Sequence, residues 1–533
     1  RRYQKTLSKN FTLYADYKKN FNDRHDLSVM VGTSHESENY DRFTAKRINF
    51  DQQENMSLQL GSAQDQNAWS EGNQWTINSF FSRVNYTFAN KYVIEGTIRA
   101  DGSSRFDPDH RWGWFPGVNA AWRVGEEGFM KRLGWFEDLK VRASYGEMGN
   151  QSGIGLYDYI QLISLSNDYY PFGAGVKGQM ATSGNIISTS RTWETIQTTN
   201  VGFDFSTLNN RLYGSFDYFW KENKNMLIPK TYPSMLGADA PSTNSGHLSI
   251  HGWEISLGWR DQIKDFSYSV RFNISDAKNK VVDRVGSNLI KLGNNETPTG
   301  YPLNSYFGYE FDGIIQNEQE LEAYKSRFSE GGIPGDLSVG DAMYKDLDGD
   351  GKLSVLGDGK EGSGDVKYLG DKNPRYNFGF NLSMAWKGFD LSAFIQGVGR
   401  RTMFLEGESR CPMPEAWYQS AEYWYGKTWT PERTDAQYPA ITLKDKRNYN
   451  YYVSTNTKFN VAYARLKNLQ FGYTIPQTLT SKAGLQKVRV YFSGEDLFEV
   501  HNTPNGWDPE ENSGSITSYP FTRNYSFGIN VVF

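Results

Sequence analysis

From Arg523 to Phe533 the chain alternates strictly. Tyr525, Phe527, Ile529, Val531 and Phe533 are apolar or aromatic, and Ser526, Gly528 and Asn530 between them are small or polar. A period of two puts the first set on one face of a β-strand and the second set on the other. The pattern recurs upstream. Phe266, Tyr268, Val270, Phe272 and Ile274 alternate with Ser267, Ser269, Arg271 and Asn273, and Tyr376, Phe378, Phe380, Leu382 and Met384 alternate with Asn377, Gly379, Asn381 and Ser383. The polar face is too polar to pack as an interior, which fits an antiparallel barrel with lipid outside and water inside. A soluble sandwich produces the same alternation in a single strand, so the decision falls to the rest of the chain. Phe533, a terminal aromatic on such a strand, is the kind of signal that outer-membrane barrels offer their assembly machinery.

Composition narrows the choice. The chain has 533 residues, enough for several soluble domains or one large barrel. A mean hydropathy of -0.66 and the lack of any long apolar run exclude membrane-spanning helices, a test that barrels escape because half of each strand is polar. Aromatics make up 15%, which suits interfacial girdles and sugar-stacking surfaces. The single Cys411 excludes an internal disulfide framework, and a net charge of -4 without a basic run argues against a nucleic-acid partner. No signal peptide opens the chain, so we expect its start to be a processed or truncated end.

About fifteen strands can be read, over 10-18, 25-36, 80-88, 91-101, 116-124, 138-147, 198-206, 210-221, 252-260, 266-275, 376-387, 388-397, 463-475, 487-496 and 523-533. Short links around Asn22, Asn90, Asn209, Asp261 and Gly388 take turns with long ones at 37-79, 102-115, 148-197, 222-251, 276-375, 398-462 and 497-522. An up-and-down barrel with tight turns at one rim and long loops at the other predicts this order of lengths, and a Greek-key sandwich does not. If single-chain barrels have an even strand number and the last strand descends from a long loop, the first strand here descends too. An odd number of strands is then expected ahead of it.

Several segments carry a resemblance: "DGSSRFDPDHRWGWFPGVNAAWRVGEEGFM" (101-130), "LKVRASYGEMGNQSG" (139-153), "TWETIQTTNVGFDFSTLNNRLYGSFDYFWKENKNML" (192-227), "KNPRYNFGFNLSMAWKGFDLSAFIQG" (372-397), "TWTPERTDAQYPAI" (428-441), "YARLKNLQFGYTIP" (463-476) and "VRVYFSGEDLFE" (488-499). In order and along nearly the whole chain they resemble SusC-like TonB-dependent transporters of Bacteroidetes. The resemblance implies an all-β fold, with residues 1-533 as the C-terminal part of a 22-stranded barrel whose N-terminal plug lies outside this chain. It implies active import across the outer membrane, powered by TonB-ExbB-ExbD through the missing N-terminal part. It also implies a SusD-like lipoprotein closing over the mouth, and an oligosaccharide cargo more often than a peptide.

The clearest local chemistry is "DLDGDGKLS". Asp346, Asp348 and Asp350 stand at positions 1, 3 and 5 of a calcium loop, Gly351 permits the turn at 6, Lys352 offers its carbonyl at 7, and Ser354 stands at 9. Position 12 should be Glu, but Gly357 stands there and Asp358 follows, so a full EF-hand is not supported. Three carboxylates within five residues repel one another unless neutralised, which favours a structural Ca²⁺; a turn held by side-chain to backbone hydrogen bonds is the alternative. Within the same loop, 316-328 reads as a short surface helix.

Aromatics crowd the long loops. Trp112 and Trp114, Tyr169, Tyr170 and Phe172, Trp417 and Tyr418, Tyr423, Trp424 and Tyr425, Tyr449, Tyr451 and Tyr452, and Trp507 stand beside carboxylates and amides. Such rings suit the C-H faces of sugars, so Trp112, Trp114, Trp417, Tyr418, Tyr449, Tyr451 and Tyr452 are candidate cargo contacts; packing between the loops or against the lipoprotein is the plainer role. So much aromatic surface also leads us to expect the outer loops to need a partner to bury against.

Other motifs carry no chemistry. Gly173, Gly175 and Gly178 fit a nucleotide fingerprint but open no helix. His247 and His251 lead into a strand, where four residues span ~13 Å, too far for a shared zinc. Ser409 lacks a nucleophile elbow. Glu126 and Glu127 read as solvated in a turn. No catalytic group is evident, and the rival readings are a passive porin and a secreted glycan-binding protein.

Overall fold

The computed structural model describes residues 1-50, 57-64, 66-166, 171-172, 176-177, 180-184, 186-229, 235, 242-284, 293, 297-356, 364-414, 420-442, 445-511 and 521-533. Its main feature is one sheet of 15 strands joined in chain order. They are β1 (Arg2–Phe21), β2 (His25–Lys46), β3 (Asn67–Phe88), β4 (Tyr92–Ser103), β5 (Trp112–Arg123), β6 (Asp138–Asn150), β7 (Glu194–Thr207), β8 (Leu212–Pro229), β9 (Ser242–Ile263), β10 (Phe266–Asp283), β11 (Arg375–Trp386), β12 (Phe389–Arg400), β13 (Tyr463–Thr474), β14 (Lys487–His501) and β15 (Asn524–Val532). Each predicted segment overlaps one of these strands, exceeding it by at most two residues at an end, and each strand is antiparallel to its neighbours. Several run well past the predicted ends; β2, β3 and β9 have 22 residues each, against ~9–11 needed to cross a bilayer. Past the bilayer a strand no longer needs a greasy face, so the alternation that reveals it fades.

Register turns the local alternation into a continuous surface. Phe272 lies opposite Phe380 and Leu257, Tyr268 opposite Met384, and Val270 opposite Leu382 and Trp259. The same face continues through Phe216, Phe203 and Val141 on one side and through Leu391, Phe471, Phe492 and Phe527 on the other. Ser267, Ser269 and Arg271 fall on the opposite face. A one-residue slip anywhere would move a strand's apolar set to the polar side, so this agreement across many ladders is strong specification. At the short-turn rim the rings of Phe88, Tyr92 and Trp122 stack in series at 6.3 and 6.4 Å, as in an interfacial girdle.

The polar face carries charge in a repeated form. Arg142, Gly202 and Asp217 lie side by side on β6, β7 and β8, and the Arg142 guanidinium reaches across the glycine to the Asp217 carboxylate at 2.5 Å. A Cβ on Gly202 would sit 2.6 Å from an Asp217 oxygen. A similar ion pair crosses β13, where Arg489 of β14, in register with Thr474, reaches over Gly472 to Asp390 of β12. The lost side chain in the middle strand is what lets a pair form between strands that are not neighbours.

Tight turns fix one rim. Asn22 and Asp23 both adopt positive φ (53° and 52°), as do Ala89 and Asn90 (50° and 57°), the two-residue geometry whose twist matches that of the flanking strands. The turn predicted near Asp261 lies at 264-265, because β9 continues to Ile263. Glu127 is not simply solvated: it accepts bonds from Lys91 (2.8 Å), the Tyr92 hydroxyl (2.7 Å) and the Trp122 indole (3.2 Å), tying the start of β4 to the end of β5.

Candidate functional site

At the opposite rim the connections 276-375 and 398-462 fold into one loop domain. Short ladders pair Ser305–Tyr309 with Val366–Asp371, Phe311–Ile314 with Ala342–Tyr344, and Thr402–Met403 with Phe459–Asn460. The predicted helix forms over Glu318–Lys325, with the Asn317 side chain capping the Glu320 amide at 2.9 Å. Leu321, Tyr324, Tyr344 and Tyr449 share one apolar core, and Met403, Trp424, Tyr438, Tyr451 and Trp507 share a second. Buried polar bonds join the two connections: Asn450 donates to Asp341 at 2.9 Å and accepts from the Ala342 amide at 2.9 Å, while Tyr344 donates to the Tyr449 carbonyl at 2.9 Å. The loops therefore bury many of their rings against each other.

This packing decides where the candidate aromatics fall. Tyr449 and Tyr451 are each 2% exposed, so they hold the cores and present no ring face to a cargo. Burial pushes both phenols well above their ordinary range, keeping them as protonated donors. Tyr452 is half-buried against Tyr309 and Tyr344. Trp112 and Trp114 lie in β5 rather than a loop, in register with Gly102 and Ala100, on the same face as Tyr92, Ile94 and Ile98. They extend the greasy outer face, and Trp112 stacks on Phe80 at 5.9 Å. Trp417 and Tyr418, like Tyr169, Tyr170, Gly173, Gly175, Gly178 and the side chain of Phe172, lie outside the described residues. Phe533 ends the chain beyond β15 with its ring 83% exposed.

The acidic loop has a geometry the spacing did not reveal. Carboxylate oxygens of Asp346, Asp348 and Asp365 lie within 4.8 Å of one another, and Asp365 is wholly buried. Asp350 stands apart, accepting from the Lys352 amide at 2.7 Å. Asp346 accepts from Gly349 (2.7 Å) and Gly351 (2.9 Å), Asp348 from Gly364 (2.8 Å), and Asp365 from Leu347 (2.6 Å) and Ser354 (2.7 Å). Burial, with the Asp348 and Asp346 charges nearby, holds the Asp365 carboxyl above the usual carboxylate range. Side-chain to backbone bonds thus shape the turn, and they leave three carboxylates converging as hard oxygen ligands would for Ca²⁺. Lys352 and Ser354 take part through backbone; Gly357 and Asp358 lie outside the described residues.

A third arrangement ties the loop domain to the wall. Arg465 on β13 is completely buried and pairs with Asp508 at 2.6 Å and Glu510 at 3.2 Å, while Lys467 pairs with Glu510 at 3.0 Å and Asp496 at 2.8 Å. Arg401 donates to the carbonyls of Pro509 (2.7 Å) and Glu511 (2.9 Å). The segment after β14 is strapped onto the polar face of the wall.

A wall with one apolar and one charged face, tight turns at one rim and a folded loop domain at the other now has a match among known proteins. A family model described as TonB dependent receptor-like, beta-barrel, covers residues 1–497. The chain belongs to this family. TonB-dependent receptor P3 of Formosa agariphila is 31% identical over 558 residues, 99% of this chain and 52% of that receptor. TonB-dependent receptor SusC of Bacteroides thetaiotaomicron is 26% identical over 568 residues, 98% of this chain and 50% of its own length. The chain thus spans about half the length of the curated relatives it matches. The solved RagAB peptide transporter shares the fold, with a TM-score of 0.81 at 23% identity over 99% of this chain and 56% of that one. Family members are transporters and receptors rather than enzymes, and the wall belongs in the outer membrane of a Gram-negative bacterium.

Proposed function

We propose that this chain forms the barrel wall and outer loops of an active importer of oligosaccharides, SusC-like in kind. It would be driven by TonB-ExbB-ExbD through a part outside this chain and served by a SusD-like surface lipoprotein. The observation that carries the reading is the join of a two-faced wall to a rigid, aromatic-rich loop domain at its outer rim. A passive pore has no use for so large an ordered mouth. Exposed rings and amides at that mouth suit saccharides, which offer C-H faces and hydroxyl edges. The lipoprotein would rest on 276-375 and 398-462, and an interface using both would exceed the ~2,000 Å² of a standard contact. A bound Ca²⁺ on Asp346, Asp348 and Asp365 would brace the first of these loops. The likeness to a peptide importer supports a second reading, in which the same machinery carries peptides.

Uptake by intact cells separates the readings. With labelled oligosaccharides and oligopeptides in parallel, we expect saccharide entry that stops when TonB or the neighbouring lipoprotein is deleted. Entry of peptides alone would favour the second reading, and entry that survives loss of TonB would leave a passive pore.

A further inference from the structure

Beneath the segment that follows β14, a cavity of about 420 Å³ opens between that segment and the loop 420-427. Its size falls in the ~300–1,000 Å³ range of small-ligand sites. One wall is Tyr423, whose hydroxyl lies 2.6 Å from that of the fully buried Tyr438. The other is Asn505 and Trp507. Trp507 packs at right angles to Tyr423, 5.8 Å between ring centroids, and belongs to the same buried core. The residues that follow it are clamped to the wall by Arg401, Arg465 and Lys467. Both sides of the cavity are therefore set before anything enters it, which lowers the ordering cost of binding.

Two lining residues have no evident structural duty. Tyr425 is 89% exposed, more than any other large apolar or aromatic side chain among the described residues, although it adjoins a densely packed core. Lys427 is partly buried, with its ammonium 3.5 Å from the centre of the Tyr423 ring. Among the described residues no carboxylate pairs with it. Glu422 also lines the cavity but is exposed and makes no ion pair with the ammonium. Desolvation alone acts on the amine, pulling its proton affinity below the ordinary lysine value. Other amines nearby are matched, Lys345 and Lys367 sharing Glu310 and Lys467 on β13 having two partners; Lys458, desolvated like Lys427, has no carboxylate among the described residues either but does not line the cavity. A cation held on a ring at the edge of an open cavity lacks its anion.

We propose that this cavity is a binding site for an acidic sugar unit, with Lys427 taking the acid group and Tyr425 stacking on the pyranose face. The acid is a uronate carboxylate or a sulfate ester; either supplies the missing charge. Asn505 offers the amide that hydroxyl edges require. One amine rather than a cluster excludes polyphosphates, and the lining presents no free strand edge for a peptide backbone to extend. This inference rests on the saccharide reading above and narrows its cargo.

The test uses the protein isolated from outer membranes in detergent, titrated calorimetrically with trigalacturonate, its methyl ester, a sulfated trisaccharide, its desulfated form, and triglutamate. We expect at least one acidic sugar to bind ten-fold or more tightly than its neutral counterpart. Lys427→Met should abolish that preference, and Tyr425→Ala should weaken acidic and neutral forms alike. Neutral forms binding as well as acidic ones, or a preference unchanged in Lys427→Met, would overturn the site while leaving saccharide import standing. Triglutamate binding more tightly than either acidic sugar, with the same dependence on Lys427, would overturn the sugar assignment. Binding of none of these probes would overturn the site itself, and saccharide entry into cells would still decide the parent reading.

Discussion

The phenol oxygens of Tyr324 and Tyr449 lie 2.8 Å apart inside the loop domain, although 125 residues separate them in the chain. Tyr324 donates to the Tyr344 carbonyl at 3.1 Å, so it accepts from Tyr449, and it accepts from the Tyr344 amide at 2.9 Å. Three rings from two connections thus form one buried polar knot. If this knot holds the loops together, Tyr449→Ala should open a cavity and cost the loop domain about 3–5 kcal/mol. Tyr449→Phe should cost only about 0.5–1.5 kcal/mol, because Tyr324 keeps its backbone partners. Hydrogen exchange over 318-325 and 342-344 reads the difference, and the strands of the wall should keep their protection in both variants.

Acid should loosen the same domain through Glu310, which accepts from Lys345 at 2.7 Å and also from Lys367. Those two ammonium groups, outweighing some desolvation, hold the Glu310 carboxyl at about 2. A depressed carboxylate contributes stability above its unfolded value of ~4.3, and that contribution fades as pH falls from there through about 2. Loop protection should therefore decline between roughly pH 4.3 and 2. Glu310→Gln should lower protection at pH 7 and flatten the decline; an unchanged profile would show that the two lysines do not act through Glu310.

The acidic loop gives a separate test. If Asp346, Asp348 and Asp365 hold Ca²⁺, chelator should speed amide exchange across 346-354, and Asp348→Ala should do so without chelator. Asp365→Asn should weaken the response to Ca²⁺ as well. Exchange that ignores both chelator and Ca²⁺ would leave the turn held by its Asp to backbone bonds alone.

Which parts could be read from the residues follows from how each is stabilised. A membrane wall must repeat apolar and polar side chains every second position, so Phe266–Ile274 or Tyr525–Val531 reveal both strand and face. The outer ends of β1, β2 and β9 carry no such demand and were legible only as loop. Trp112 and Trp114 read as loop rings for a different reason: the buried Phe115, an aromatic on the inner face of β5, breaks the apolar-polar alternation beside them. Nothing local distinguishes Tyr449 and Tyr451, which are buried, from Tyr425, which is exposed, because burial depends on partners elsewhere in the chain, Tyr324 and Tyr344 for Tyr449 and Trp424 and Pro439 for Tyr451. Asp365 was invisible to the calcium-loop spacing, since it joins from eleven residues beyond Ser354. Arg465 gave no signal either; a lone arginine in an alternating strand reads as an ordinary inward polar residue.

The account stands or falls on the two faces of the wall. Spin labels placed one at a time at 268-273, in a Cys411→Ser background in lipid bilayers, report access of oxygen from the lipid and of a nickel chelate from water. We predict strict alternation, with oxygen access highest at 268, 270 and 272 and nickel access highest at 269, 271 and 273. Equal nickel access at all six positions would mean that no lipid covers the apolar face, and would contradict a transmembrane wall.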